Sequence, residues 1–131
     1  MYLACITAIR LWDDDRWETL SARYLRLARG TGTLSELPLA LTARAYVLLF
    51  AGDLPGAASL SDELQAVKEA TGSGLASYSA MGLAALRGDE TGACAVIDAT
   101  LEDVTTRGEG IGITYAEWAN AALNNGLGHY H

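Results

Sequence analysis

The sequence predicts an all-α protein, a right-handed stack of antiparallel helix hairpins with about seven helices. The turn Gly52-Asp53-x-x-Gly56-Ala57 occurs again 36 positions later, where Gly88 begins a second Gly-Asp-x-x-Gly-Ala. Repeats of this period are typical of stacked helical hairpins. Half of the residues are hydrophobic, and alanine and leucine dominate, which favours closely packed helices. Strands are not predicted, because β-branched residues do not alternate along the chain and no Asn-Gly hairpin joins two such runs.

The first three helices are predicted at about residues 3–12, 13–29 and 35–51. Acidic residues 13–15 would lie at the positive N-terminal end of the second helix. Ser35 is the predicted N-cap of the third helix, because Pro38 follows it and proline is tolerated in a first turn. This helix is apolar nearly all round, so we expect it to pack on several faces. Trp12 and Trp17 are predicted to be core residues between the first two helices.

The last four helices are predicted at about residues 53–71, 75–87, 89–107 and 111–127. In each Gly-Asp pair, glycine can end one helix in the left-handed conformation and aspartate can cap the next. Gly56 and Gly92 are interpreted as points where a partner helix comes close. Two stripes at helical spacing are predicted to be buried: Ala57, Leu60, Leu64 and Val67 in the fourth helix, and Ala93, Val96, Ile97, Thr100 and Leu101 or Val104 in the sixth.

Residues 1–131 are interpreted as a single helical-repeat domain, a fragment of a longer multidomain protein. The sequence stops shortly after another turn, Gly128-His129-Tyr130, before a returning helix can form. We therefore expect the seventh helix to expose a face rich in isoleucine, alanine and leucine. Such a face could form a homodimer.

Charge and composition limit the possible partners. The formal net charge is −7 and the pI is about 4.6, which predicts no direct contact with nucleic acid. The longest apolar run, residues 45–51, is too short to span a bilayer, so no membrane contact is expected. Cys5 and Cys94 have no cysteine or histidine at ligand spacing, and both are predicted to be buried free thiols. Together these features indicate a cytoplasmic protein.

Several stretches carry a resemblance to known families. The Gly-Asp-x-x-Gly-Ala turn resembles the tetratricopeptide-type helical repeat. In addition, the sequence is similar to the C-terminal helical array of the large ATP-binding LuxR-type transcriptional regulators of actinobacteria, over segments 40–45, 51–54, 69–72, 107–112, 116–119 and 123–130.

The resemblance implies a module that senses a ligand or partner. It also implies a parent protein in which a nucleotide-binding module and a helix-turn-helix flank the array. Neither flank is present in this sequence, which has no Gly-x-x-x-x-Gly-Lys-Ser/Thr loop and no basic recognition helix. ATP and DNA binding are therefore expectations for the parent, and no cofactor is expected in this segment.

Catalysis is not predicted, because no constellation of acid, base and nucleophile occurs in the sequence. Asp14, Asp15 and Glu18 have the outline of an aspartate-rich magnesium motif. No second acidic motif accompanies them, and acidic N-terminal residues on a helix dipole explain them better. Asp98 and Glu102 form an i, i+4 carboxylate pair, which we interpret as a solvated helix face. A non-catalytic protein without a bound metal is therefore expected.

A binding groove is the remaining functional prediction. In tetratricopeptide arrays the first helix of each hairpin lines a concave groove at fixed offsets before the turn glycine. The alternative for each residue at those offsets is ordinary core packing. The groove would bind a protein or peptide partner, or a small apolar ligand, because tyrosine and tryptophan are rigid amphipathic anchors. The predicted contacts are Thr42, Tyr46, Leu49, Tyr78, Tyr115, Trp118 and Asn125.

A second hypothesis is a generic homo-oligomerising scaffold of tetratricopeptide-like hairpins with no regulatory ligand. It uses the same helices but assigns the function to self-assembly through the seventh helix. The two hypotheses differ in oligomeric state and in whether the groove residues contact a partner.

Overall fold

The computed structural model describes residues 1–130, and within that range every regular element is an α-helix. The all-α prediction is therefore confirmed. The chain separates into two compact units, residues 1–75 and the residues from Ala76 onward. Whether the chain acts as a single domain stays a prediction. The seven helices are α1 (Tyr2–Arg10), α2 (Asp14–Thr31), α3 (Leu37–Ala51), α4 (Leu54–Thr71), α5 (Tyr78–Arg87), α6 (Glu90–Arg107) and α7 (Gly110–Leu127).

Helix α3 is the centre of the first unit. Helix α1 packs against α2 and α3, α2 packs against α3, and α3 packs against α4. Nine of the fifteen residues of α3 are buried, and these include Leu41, Tyr46 and Leu49. The prediction that this helix packs on several faces is thus confirmed. Trp17 of α2 lies edge-on to Phe50 of α3, with ring centroids 5.3 Å apart.

The second unit is a three-helix cluster in which α5, α6 and α7 all contact one another. The buried side of α6 carries Ala93, Ile97, Thr100 and Val104, as the sequence stripe predicted. Val96 and Leu101 are only half-buried. The acidic residues 98, 102 and 103 are exposed, so the amphipathic interpretation of this helix is confirmed.

The two Gly-Asp corners have the same construction. Gly52 and Gly88 adopt φ values of 80° and 71° and end α3 and α5. The Asp53 carboxylate accepts a hydrogen bond from the backbone N–H of Gly56 at 2.9 Å. Asp89 accepts one from Gly92 at 3.0 Å. One residue thus ends a helix and the next begins another, which produces a tight antiparallel hairpin.

At Gly56 and Gly92 the nearest neighbours are the caps of their own helices, and the close approach of a partner helix there stays a prediction. The three atoms nearest to a Cβ at either position all belong to the carboxylate of its own cap, Asp53 or Asp89. Glycine at this position therefore leaves room for the capping side chain. Gly112, by contrast, is the point where helices come close. A Cβ there would lie 2.5 Å from Val104 Cγ1 and 2.5 Å from the Tyr78 hydroxyl.

Two helix starts differ from the prediction. Helix α3 begins at Leu37 with Glu36 as its N-cap, so Ser35 does not cap it. Residues 34–36 form a turn instead. Helix α5 begins at Tyr78 rather than near residue 75, because the segment after Gly72 continues without helical structure as far as Ser77. In both cases a loop was counted as part of the helix that follows it.

Candidate binding surfaces

The turn between α1 and α2 is a third corner of the same type, with tryptophan in place of glycine. The backbone N–H of Asp13 bonds the carbonyl of Ala8 at 3.1 Å, as Asp53 bonds Leu48 at 2.9 Å. The Asp13 carboxylate then accepts a hydrogen bond from Arg16 N at 3.1 Å and caps α2. In the sequence, this corner is indicated by Trp12-Asp13, which lies 40 positions before the Gly52-Asp53 corner. Tryptophan in the glycine position concealed it.

Trp12 adopts φ 53°, the one positive φ of a non-glycine residue among those described. Helices α2 to α7 all end at a glycine with positive φ. A side chain in the left-handed region costs about 1–2 kcal/mol, and for a bulky residue it is a true outlier. The prediction that Trp12 is a core residue was wrong, because 83% of it is exposed. Trp17 is buried, as predicted.

The surroundings of Trp12 combine apolar and acidic groups. Leu11 is 68% exposed. A shallow, open depression is lined by Leu11, Trp12 and the three aspartates at positions 13–15. Asp13 pairs with Arg16 Nε at 3.2 Å. Within residues 1–130, no lysine or arginine lies at ion-pair distance from Asp14 or Asp15.

Four predicted groove residues are buried in the cores of the two units: Thr42, Tyr46, Leu49 and Tyr78. Thr42 donates its hydroxyl to the Pro38 carbonyl at 2.8 Å. These four therefore occupy the positions that the core-packing alternative describes. Tyr115 and Trp118 are half-buried, and Asn125 is exposed. The structure thus gives three of the seven predicted residues an accessible side chain, and all three belong to α7.

Tyr78 links α5 to the start of α7. Its hydroxyl donates a hydrogen bond to Glu109 Oε2 at 2.8 Å. Its ring lies 5.2 Å from that of Tyr115, measured between centroids. Glu109 is the N-cap residue of α7, yet its carboxylate makes no cap hydrogen bond. The hydrogen bond and the ring contact thus join α5 to the first part of α7.

The same arrangement occurs in the first unit, where the Tyr24 hydroxyl donates to Glu36 Oε2 at 2.5 Å. Glu36 is the N-cap residue of α3 and likewise makes no cap hydrogen bond. Burial of the ring, together with this carboxylate, raises the pKa of Tyr24 far above its usual value. No pattern in the sequence indicates either pair, because the partners are 12 and 31 residues apart.

The exposed side of α7 is polar, contrary to the predicted face of isoleucine, alanine and leucine. Its isoleucines are half-buried and Leu123 is buried. An open depression near the end of this helix is lined by Ala121, Asn124, Asn125, His129 and Tyr130. The exposed residues of the helix include Thr114, Glu117, Asn120, Ala121 and Asn125. The exposed polar residues can form hydrogen bonds, and Ile111, Ile113 and Leu127 keep part of their surface accessible.

Glu18, the third member of the magnesium alternative, is engaged by Arg44. The Arg44 guanidinium lies 2.6 Å from Glu18 Oε2 and donates to Ser21 Oγ at 3.2 Å. The hydrogen bond from Arg44 to the Glu18 carboxylate lowers the pKa of this carboxyl from its ordinary value. Within residues 1–130, no three side chains of histidine, cysteine, aspartate or glutamate are grouped so as to hold a metal ion. His131, one of the two histidines near the end, lies outside the described residues.

The two cysteines differ in accessibility. Cys5 is buried, and burial raises the pKa of its thiol. Cys94 is exposed on α6, so the prediction that both thiols are buried was wrong for this residue. The two are free and lie in different units.

The residues described so far define a class of protein: all-α, with antiparallel helical hairpins closed by capped corners. Comparisons of the chain with protein-family models, with curated proteins and with solved structures give no match. Among the described helices, none combines the length and the apolar character needed to cross a bilayer.

Proposed function

We propose that this chain is a non-catalytic helical-repeat module that binds a protein or peptide partner, or senses a ligand. The observation that carries the proposal is the repeated corner. Gly52-Asp53 and Gly88-Asp89 close their hairpins with the same φ sign and the same aspartate cap. Arrays of such hairpins present extended surfaces to partners.

Helix α7 is the part of the predicted groove that a partner can reach. Tyr115 and Trp118 are half-buried there, and Asn125 is exposed with an amide that can both donate and accept. The Tyr78–Tyr115 ring contact and the Tyr78–Glu109 hydrogen bond hold the aromatic part of this surface in place. Fixed aromatic side chains bind with a small loss of conformational entropy. An extended peptide suits this combination of rings and amides.

The parent that we propose is a LuxR-type transcriptional regulator. Its support is the sequence similarity over segments 40–45, 51–54 and 107–112, together with the order of the Gly-Asp turns. In such a parent, ATP and DNA binding would belong to flanking domains. The reading frame on both sides of this segment tests the assignment. A nucleotide-binding loop upstream and a helix-turn-helix downstream are expected, and other flanking domains would contradict it.

Peptide selection tests the binding proposal. The chain is used to select peptides from a random phage-displayed library, and each selected peptide is titrated against W118A and N125A. We expect both variants to weaken binding at least about tenfold, the equivalent of about 1.4 kcal/mol. Helical circular dichroism should be unchanged. The matched control is Q65A, an exposed amide on α4. Selected peptides that bind all variants equally would contradict the α7 surface.

The alternative is a homo-oligomerising scaffold without a ligand. Light scattering separates it from the sensing proposal, because a scaffold must assemble at micromolar concentration. The polar exposed side of α7 favours a monomer. A stable dimer that a charged substitution at Ala121 dissociates would favour the scaffold instead.

A further inference from the structure

The corner between α1 and α2 carries a surface that the groove proposal does not use. It lies in the first unit, whereas the accessible groove candidates lie on α7 in the second. We call it the Trp12 corner: Leu11, Trp12, Asp14 and Asp15. We propose that the Trp12 corner is a docking site for a basic amphipathic peptide segment, in which leucine-like side chains cover Trp12 and arginines reach Asp14 and Asp15.

Trp12 has no packing role that would explain its conformation. It occupies the position where six other helix ends have glycine, and it keeps 83% of its surface exposed. Neighbouring Leu11 is 68% exposed. Trp12 is large, strained and solvated in the free protein. A partner that covers such an aromatic side chain removes its apolar surface from water, which favours binding. The apolar half of the proposed contact therefore consists of Trp12 and Leu11.

The charge of the Trp12 corner indicates which kind of partner binds there. Asp14 and Asp15 line the same depression as Trp12, and neither is paired with a lysine or arginine within residues 1–130. A guanidinium can stack on an indole face and pair with a carboxylate at the same time. A second copy of this chain would bring the same aspartates together, and the net charge is −7. Anionic lipid and nucleic acid would be repelled as well.

The experiment uses fluorescence anisotropy with the full chain and a labelled three-turn amphipathic peptide of leucine and arginine. A control peptide has glutamate in place of each arginine. We expect the arginine peptide to bind at least about tenfold more tightly than the glutamate peptide, and added salt to weaken it. A chain that does not distinguish the two peptides overturns the proposal.

Trp12→Gly separates a binding role from a structural one. Glycine relieves the left-handed strain, so we expect the melting temperature to rise by about 4 °C. Peptide affinity should nevertheless fall about tenfold or more. The double variant D14N/D15N should lower the affinity for the peptide by a similar factor. Unchanged affinity in Trp12→Gly would overturn the proposal, because the indole would then contribute nothing to the contact.

Matched controls test whether the peptide binds at the Trp12 corner and whether a different partner binds there instead. L34A and D62N remove an exposed leucine and an exposed aspartate elsewhere in the first unit, and both should leave affinity unchanged. An equal loss of affinity in these controls would mean that the peptide binds by nonspecific attraction, which would overturn the proposed site. Self-association of the wild-type chain that Trp12→Gly abolishes would assign the surface to a second copy instead. Binding to vesicles of anionic lipid that the same substitution abolishes would assign it to a membrane. Either result overturns the proposal.

Discussion

Single residues at close contacts decide how the helices approach one another. Gly112 is the clearest case, because any Cβ at that position enters space held by Val104 and the Tyr78 hydroxyl. Gly110, two residues earlier on the same helix, has open space around it. The two glycines look alike in the sequence, and only the packing of α6 and α5 against α7 distinguishes them.

We expect G112A to lower the free energy of unfolding by about 1–3 kcal/mol, because α6 and α7 must move apart to admit the methyl group. G110A should change it by less than about 1 kcal/mol. Urea unfolding of the two variants measures both values. Equal stability of G112A and G110A would contradict the close approach of Val104 to α7.

Tyr24, one of the two buried tyrosines of the first unit, predicts a pH dependence. Because the pKa of Tyr24 is raised in the fold, the neutral phenol is favoured there. Its contribution to stability is complete below the unfolded pKa of about 10 and is lost as the pH rises above that value. Y24F should remove this alkaline loss, whereas Y130F, at an exposed tyrosine, should keep it.

Thermal unfolding between neutral pH and about pH 11 measures the effect. At neutral pH, Y24F should lower the free energy of unfolding by about 1 kcal/mol, since Glu36 loses its hydrogen-bond donor. If Y24F and Y130F show the same loss of stability in alkali, the buried Tyr24–Glu36 pair is not its source.

At the scale of elements, the Gly-Asp corners explain why the helix order could be predicted. Asp53 and Asp89 cap helices where the sequence placed caps, because this chemistry is local and depends on adjacent residues. The Trp12-Asp13 corner was missed because its glycine is replaced. The start of α3 was misplaced because Glu36, held by a tyrosine 12 residues away, takes the N-cap position.

D89A should destabilise the protein by about 1 kcal/mol, because the backbone N–H of Gly92 loses its acceptor. D98A, at an exposed aspartate in the middle of the same helix, is the matched control and should have little effect. Chemical denaturation of both variants provides the comparison. A cost at residue 98 as large as that at residue 89 would mean that general charge, and not capping, accounts for the change.

At the scale of the whole molecule, the helical class was predictable from composition and period, while the candidate surfaces were only partly predictable. The offsets that place a groove in tetratricopeptide arrays led to Tyr46 and Tyr78, which are buried. They also led to Trp118 and Asn125, which are accessible. Sequence spacing assigns a residue to one side of a helix. Which side remains open depends on the packing of all helices of the unit.

The central claim is that the capped corners fold each unit into antiparallel helices that share a core. Nuclear Overhauser effects between aromatic rings test it most directly. We expect cross-peaks between the Trp17 and Phe50 rings in the first unit, and between the Tyr78 and Tyr115 rings in the second. If both pairs show only intrahelical cross-peaks in a folded sample, the helices do not pack as described and the account is wrong.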